Sequence, residues 1–131
     1  MVNFHQKTIL LIEDDLFIRE LYQRTLTKEG YTVLTAGDGE QGIQLVSQHP
    51  DLILLDLMLP KKNGIDVLKE IKADPETAII PVIILTNLGD QSMVNELKTL
   101  GAVGYIVKAQ FTPQQIVEHV AKYLETSNTS R

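Results

Sequence analysis

The sequence of 131 residues contains no cysteine and no tryptophan, and only 5% of its residues are aromatic. The absence of cysteine excludes disulfide bonds, zinc–thiolate sites and catalysis by a thiol. The longest apolar runs have about four residues, whereas a helix that spans a membrane needs roughly 20. The first residues show no basic stretch followed by an apolar one, so we expect no signal peptide and no membrane association.

Positive charge is also scarce. Acidic residues outnumber basic ones by 17 to 12, which gives a formal net charge of -5 and a pI near 5.1. This balance argues against direct nucleic-acid binding through a broad basic surface. The hydrophobic and charged fractions, 44% and 22%, are typical of globular proteins, and the length allows one domain of about 100–200 residues. Composition therefore predicts a small, acidic, soluble domain in the cytoplasm.

Short apolar segments alternate along the chain with segments of helical periodicity. The apolar segments are rich in Ile, Val and Leu on both faces, as buried parallel strands are. They occupy residues 7–12, 31–36, 51–56, 79–86 and 104–108. The letters TPQQ at 112–115 are typical of a capping box at the start of the last helix. Strands that alternate with helices predict an α/β fold, with a doubly wound five-stranded parallel sheet covered by helices on both faces.

Polar residues follow these strands where each apolar run ends. They are Glu13, Asp14 and Asp15 after the first strand, Asp56 at the end of the third, Thr86 at the end of the fourth and Lys108 at the end of the fifth. Right-handed crossovers bring the carboxyl ends of parallel strands to one edge, where such folds bind ligands. Converging carboxylates repel one another unless a cation offsets them. Because only oxygen ligands are available, we expect Mg²⁺.

This set of groups suits phosphoryl transfer. A carboxylate beside Mg²⁺ and an ammonium can attack a phosphoryl group and form an aspartyl phosphate. The positive charges would offset the charge of the transferring group, and a hydroxyl could bind one of its oxygens. The three histidines, His5, His49 and His119, do not cluster in the sequence, so we expect neither a zinc site nor a catalytic role for them.

Five stretches of the sequence, over roughly residues 7–125, resemble a response-regulator receiver domain of two-component signalling, in particular the single-domain chemotaxis regulators. In order, these stretches are ILLIEDD, DLILLDLMLP, KNG, PVIILT and GAVGYIVK. The resemblance implies the flavodoxin-like strand order 2-1-3-4-5 in a three-layer α/β/α fold. It also implies a receiver domain over residues 1–125, with a polar tail at 126–131.

The resemblance assigns a role to each matching residue. It implies that Asp56 is the phosphoacceptor and that Lys108 pairs with Asp56 or with its phosphate. It implies a Mg²⁺ site, also open to Mn²⁺, formed by Asp14, Asp56 and the backbone carbonyl of Met58, with Glu13 acting through water. Asp15, outside this acidic pair, is expected to cap the first helix.

The resemblance also implies a switch and its partners. Thr86 would turn inward to hydrogen-bond the phosphate, and Tyr105 would swing inward behind it. The surface of helix 4, strand 5 and helix 5 would change and so control a downstream protein or an output domain. The phosphodonor would be a histidine kinase or a phosphotransfer protein. Such a domain assists its own phosphorylation and dephosphorylation, but it is not an enzyme that turns over external metabolites.

The sequence departs from the family pattern in the loops of this edge. Ala109 follows Lys108, where the family usually has Pro after a cis peptide bond. We expect the cis bond here as well, although it costs about 3 kcal/mol before a residue other than proline. Asn87 stands where the family commonly has Ala or Ser, which predicts slower phosphorylation by a small donor. Met58 and Leu88 flank the site and could shield it from water.

Three other readings stay open at this point. A small Mg²⁺-dependent phosphohydrolase often has a second Asp two residues after its nucleophile, where this chain has Met58. A pseudo-receiver would act only as an interaction surface, and it would not need the full polar set. A flavin-binding protein of the same topology needs a phosphate-cradling loop after the first strand, where the acidic residues of this chain would repel a phosphate. The sequence does not decide whether the domain acts alone or within a longer regulator.

Overall fold

The chain folds as five strands that alternate with five helices, in a computed structural model that describes residues 7–87 and 91–129. The strands are β1 (Thr8–Ile12), β2 (Thr32–Ala36), β3 (Leu52–Asp56), β4 (Val82–Thr86) and β5 (Gly104–Val107). The helices are α1 (Leu16–Lys28), α2 (Gly39–Val46), α3 (Gly64–Ala73), α4 (Gln91–Thr99) and α5 (Pro113–Thr129). α5 thus includes residues 126–129, which the sequence analysis had placed in a polar tail.

The strands form one parallel sheet in the order β2-β1-β3-β4-β5. The predicted fold class and the predicted strand order are therefore confirmed. Side chains of β1 alternate between two apolar clusters. Ile9 and Leu11 pack in the cluster that includes α1 and α5, and Leu10 and Ile12 pack in the cluster that includes α2, α3 and α4. Burial on both faces explains why the strands are apolar throughout.

Capping side chains fix the loops at the carboxyl edge of the sheet. Asp15, Asp38 and Asn63 are the N-caps of α1, α2 and α3, and each accepts a hydrogen bond from a backbone amide in the first turn of its helix. The cap that was expected at Asp15 is therefore confirmed: its Oδ1 lies 3.0 Å from the amide nitrogen of Ile18. Each cap satisfies an amide that the helix itself leaves unpaired.

A glycine brings α2 close to the loop that follows β3. A Cβ atom on Gly39 would lie 1.9 Å from the backbone oxygen of Lys62, so no larger residue fits without a shift. The Gly39 amide also donates to the carbonyl of Pro60, at 3.3 Å. The start of α2 is therefore fastened to the loop between β3 and α3.

The peptide bond between Lys108 and Ala109 is trans, as are the other peptide bonds of the described residues. The expectation of a cis bond was wrong. The trans form avoids the cost of a cis bond before a residue other than proline. The chain then forms a short 3₁₀ turn, Lys108–Gln110, and the amide of Phe111 donates to the Lys108 carbonyl at 3.3 Å.

Within the described residues, no helix combines the length and the apolarity needed to cross a bilayer.

Candidate functional site

Acidic and basic side chains meet at the carboxyl edge of the sheet, as the strand pattern predicts. Glu13 directly follows β1, Asp56 is the last residue of β3, and Lys108 directly follows β5. Glu13 and Asp56 are buried, whereas Asp14 is exposed. One carboxylate oxygen from each of these three acidic residues lies within 4.8 Å of the others. We call Glu13, Asp14 and Asp56 the acidic cluster.

Lys108 supplies a positive charge to this cluster. Its ammonium donates hydrogen bonds to Oε1 of Glu13 at 2.6 Å and to Oδ2 of Asp56 at 2.8 Å. The Lys108 side chain is only 7% exposed, and its two partners are 1% and 6% exposed. Charge-assisted hydrogen bonds of this length are among the stronger polar contacts in proteins, and burial protects them from screening by salt.

A backbone amide donates a hydrogen bond to the other oxygen of each buried carboxylate. Oε2 of Glu13 accepts from the amide of Asp15 at 3.1 Å, and Oδ1 of Asp56 accepts from the amide of Met58 at 3.0 Å. Each carboxylate is thus held between its own loop and Lys108. The arrangement fixes the direction of both side chains before any ligand arrives.

Burial changes how these groups bind protons. It raises the pKa of Glu13 from 4.5 to about 7, against the opposing effect of the hydrogen bond from Lys108, and the neighbouring Asp56 raises it further. For Lys108, burial alone would lower the pKa. The hydrogen bonds and charges of Asp56 and Glu13 outweigh burial, so the pKa of Lys108 lies above its usual value. Two carboxylates that share one ammonium leave room for further positive charge.

The two residues expected to form a switch lie on neighbouring strands. Thr86 ends β4 and is buried, and Tyr105 of β5 is half-buried against the cluster that contains α3 and α4. The sheet pairs Thr86 with Val107 and Tyr105 with Ile84, so the two residues are offset by two positions along the strands. A cavity of about 500 Å³ beside Thr86 is lined partly by Met58 and by Asn87. Leu88 lies outside the described residues.

The histidines take no part in this site within the described part of the chain. His119 packs between the rings of Phe111 and Tyr123, with centroid distances of 5.7 and 5.8 Å. His49 lines a separate pocket between the ends of α2 and α3. His5 lies outside the described residues.

One contact at this edge was not anticipated from the sequence. Nη1 of Arg19 donates to the backbone oxygen of Glu13 at 2.9 Å. The only sequence signal for it is a basic residue near the start of a helix, where the helix dipole disfavours positive charge.

A family model described as "Response regulator receiver domain" matches residues 9–121. The chain belongs to the response-regulator receiver domain family. Receiver domains are phosphorylation-dependent signalling switches of two-component systems rather than classical enzymes, and they bind Mg²⁺ at an acidic pocket. The resemblance noted in the sequence is therefore confirmed.

Relatives of this receiver domain differ in length. It is 42% identical to "Transcriptional regulatory protein CpxR" of Klebsiella pneumoniae over 123 residues, which are 93% of this chain and 51% of that protein. It is 39% identical to "Sporulation initiation phosphotransferase F" of Bacillus subtilis over 117 residues, which are 88% of this chain and 92% of that protein. The chain thus spans about half the length of CpxR and of the similar ycf27 regulators, 47% and 50% in two cases.

Solved structures agree with the fold of the receiver domain. The chemotaxis protein CheY4 of Vibrio cholerae is similar with a TM-score of 0.83 at 26% identity, over 89% of this chain and 98% of that one. The Mn²⁺-bound form of response regulator Rcp1 is similar with a TM-score of 0.81 at 32% identity, over 92% of this chain and 96% of that one.

The donor set of this receiver domain fits a hard divalent cation. The acidic cluster offers three carboxylates with oxygens within 4.8 Å of one another, and carboxylate oxygens are the ligands that Mg²⁺ prefers. Two of these carboxylates are buried with a single ammonium between them, which leaves negative charge for a cation to offset. The exposed position of Asp14 gives the ion a side from which to enter. The roles of individual residues in holding the ion stay predictions.

Proposed function

We propose that this receiver domain accepts a phosphoryl group on Asp56 from a histidine kinase or a phosphotransfer protein and thereby switches a downstream partner. The observation that best supports this is the pair of short contacts from Lys108 to Asp56 and Glu13, at 2.8 and 2.6 Å. They place a fixed positive charge against the proposed nucleophile. Asp14, Asp56 and the Met58 carbonyl would hold Mg²⁺ or Mn²⁺, with Glu13 acting through water.

The chemistry is a transfer between a donor histidine and a carboxylate. An Asp56 oxygen attacks the phosphorus of a phosphohistidine and forms a P–O bond. The P–N bond breaks, and the leaving imidazole nitrogen keeps the electron pair and takes up a proton from water. Lys108 stays beside the acceptor, where its charge opposes the negative charge of the phosphoryl oxygens. Mg²⁺, when bound, supplies further positive charge to those oxygens. The same groups would assist the later hydrolysis of the acyl phosphate.

The phosphorylated state would be read through the neighbouring strands. Asp56 ends β3 beside β4, which Thr86 ends. We therefore propose that the Thr86 hydroxyl hydrogen-bonds the phosphoryl group and that Tyr105 moves inward behind it. The surface of α4, β5 and α5 then changes for a downstream protein or an output domain. We propose no direct contact of this domain with nucleic acid or membrane. We further propose a receiver domain over residues 1–125 and a polar tail at 126–131, the first four residues of which continue α5. The proposed location is the cytoplasm, where such kinases present their phosphohistidine.

Labelling with acetyl phosphate and Mg²⁺, read by intact mass, tests the acceptor. The wild-type chain should gain the mass of one phosphoryl group, and chelation of the metal should abolish the gain. Asp56→Asn should gain nothing. Asp51→Asn is the matched control, because Asp51 directly precedes the same strand and its carboxylate accepts a hydrogen bond from the amide of Thr8. If Asp56→Asn is labelled like the wild type, the proposal fails.

A further inference from the structure

Arg19 connects α1 to the loop that carries two members of the acidic cluster. Its Nη1 donates to the backbone oxygen of Glu13 at 2.9 Å and, in a longer contact, to that of Asp14 at 3.5 Å. Among the residues that the structure describes, Arg19 forms no ion pair with a carboxylate. Its guanidinium therefore hydrogen-bonds the main chain of this loop rather than a particular acidic side chain.

The place of Arg19 in the helix is otherwise unfavourable. It is the fourth residue of α1, and the carboxylate of the N-cap, Asp15, accepts from the amide of Ile18 rather than pairing with Arg19. The amino end of a helix carries partial positive charge, which disfavours a cation there. The two backbone carbonyls offset part of this cost, because a hydrogen bond from a charged donor is stronger than one from a neutral donor. The negative charges of the loop before α1 offset more of it.

The loop after β2 leaves room for this guanidinium. A Cβ atom on Gly37 would lie 3.0 Å from Nη1 of Arg19. The φ angle of Gly37 is not among the positive values, so the backbone itself does not demand glycine here. The guanidinium thus occupies the space that a side chain at position 37 would need.

We propose that Arg19 is a positioning residue for the metal site: it fixes the main chain of Glu13 and Asp14 and so aims their carboxylates at the ion. The Glu13 amide is held as well, through a 3.0 Å hydrogen bond to the carbonyl of Ala36. With both the amide and the carbonyl of Glu13 bonded, its side chain starts from a fixed point. This inference rests on the metal site of the proposed function.

An electrostatic role and a positioning role of Arg19 predict opposite changes in metal affinity when the residue is replaced. A positive charge near the site repels a divalent cation, so loss of the charge alone would tighten metal binding. Loss of the hydrogen bonds frees the loop, and the carboxylates must then be ordered when the ion binds, which weakens binding. The direction of the change therefore separates a positioning role from a merely electrostatic one.

The experiment measures Mn²⁺ binding to the full chain by electron paramagnetic resonance of the free ion, without any phosphodonor. Arg19→Ala should raise the Kd about tenfold, the low end for loss of a residue that orients metal ligands. Arg19→Lys should recover part of the affinity, because an ammonium can still donate to one carbonyl. Arg24→Ala is the control, since Arg24 is an exposed arginine on the same helix, and its Kd should equal that of the wild type.

Gly37→Ala provides a second test that keeps the charge. Its methyl group would lie 3.0 Å from Nη1, so the guanidinium must shift by a few tenths of an ångström. Its contacts with the loop are then strained, and Mn²⁺ binding should weaken, by less than in Arg19→Ala, although Arg19 is still present. Adding Gly37→Ala to Arg19→Ala should have no further effect on the Kd, because the methyl group then meets no guanidinium. Thermal unfolding of each variant in EDTA gives the purely structural effect. A lowered Tm with an unchanged Kd would overturn the inference.

The outcomes distinguish the inference from the proposal beneath it. A wild-type chain that binds no Mn²⁺ refutes the metal site itself. A wild-type chain that binds Mn²⁺, with Arg19→Ala binding it equally well or more tightly, refutes only the positioning role. If Arg19→Ala does not fold, the Kd of Gly37→Ala decides.

Discussion

Replacement of Lys108 by methionine removes the ammonium that lies between Glu13 and Asp56. Methionine keeps most of the length of the side chain without its charge. The two carboxylates offer oxygens within 4.8 Å of each other. At that separation and an effective dielectric constant near 20, their repulsion amounts to roughly 3–4 kcal/mol. Part of this repulsion is offset because burying methionine, unlike burying an ammonium, carries no desolvation cost. The expected loss of unfolding free energy is therefore about 3 kcal/mol, within the range for breaking a buried ion pair.

Urea unfolding followed by circular dichroism measures this loss. The buffer should contain EDTA and be held at about pH 8, above the raised pKa of Glu13 in the wild-type chain. Lys61→Met is the matched control, because its ammonium lies 3.7 Å from Asp38 with a side chain that is 62% exposed. An exposed pair of this kind contributes at most about 1 kcal/mol.

Two further measurements identify the cause of the loss. Asp56→Asn, added to Lys108→Met, should restore most of the stability, since it removes one of the two repelling charges. Mg²⁺ should stabilise Lys108→Met more than the wild type, because a bound dication takes over the role of the ammonium. If Lys108→Met unfolds within about 1 kcal/mol of the wild type in EDTA, the ammonium is not what offsets the cluster and the reasoning is refuted.

Three other predictions concern the acidic cluster and its surroundings. The pKa of Glu13 is raised to about 7, so the folded chain binds this proton more tightly than the unfolded chain does. The free energy of unfolding in EDTA should therefore decrease by up to about 3 kcal/mol as the pH rises from 4.5 to 7. In urea titrations, Glu13→Gln should make this decrease smaller. Equal pH slopes for the two chains would contradict it. Gly39→Ala should lower the unfolding free energy by about 2–3 kcal/mol, because its Cβ would lie 1.9 Å from the Lys62 oxygen, and an unchanged Tm would disprove this contact. Asn87→Ala should be labelled faster by acetyl phosphate, and an unchanged rate would show that the amide does not hinder the donor.

Apolar content predicted the number and the type of the strands, but not where each begins. The segment at 79–86 was expected to be a strand throughout, whereas β4 starts at Val82. Ile79 is 84% exposed, and Ile80 is buried in the loop before Pro81. An apolar side chain can be exposed, or can pack from a loop, as well as from a strand. Periodicity therefore indicates that a strand exists and leaves its first residue undetermined.

The grouping of the charged residues was predictable because parallel strands all end at one edge. That rule placed Glu13, Asp56 and Lys108 together before any geometry was known. The rule carries no information on how a loop is bonded. The contacts of Arg19 depend on backbone carbonyls, which every residue has, so the sequence holds no specific mark for them. The trans peptide after Lys108 was predictable, because Ala109 is not proline, and the family resemblance was wrongly preferred to that local rule.

The ion pairs of Lys108 join distant parts of the chain, because Lys108 lies 95 residues from Glu13 and 52 from Asp56 in the sequence. β5 is an edge strand and the last strand along the chain. During synthesis, the two carboxylates emerge from the ribosome long before their counter-charge does. A chain interrupted before Lys108 holds the proposed acceptor without its ammonium. The charge balance of the site is therefore complete only after the last strand has joined the sheet.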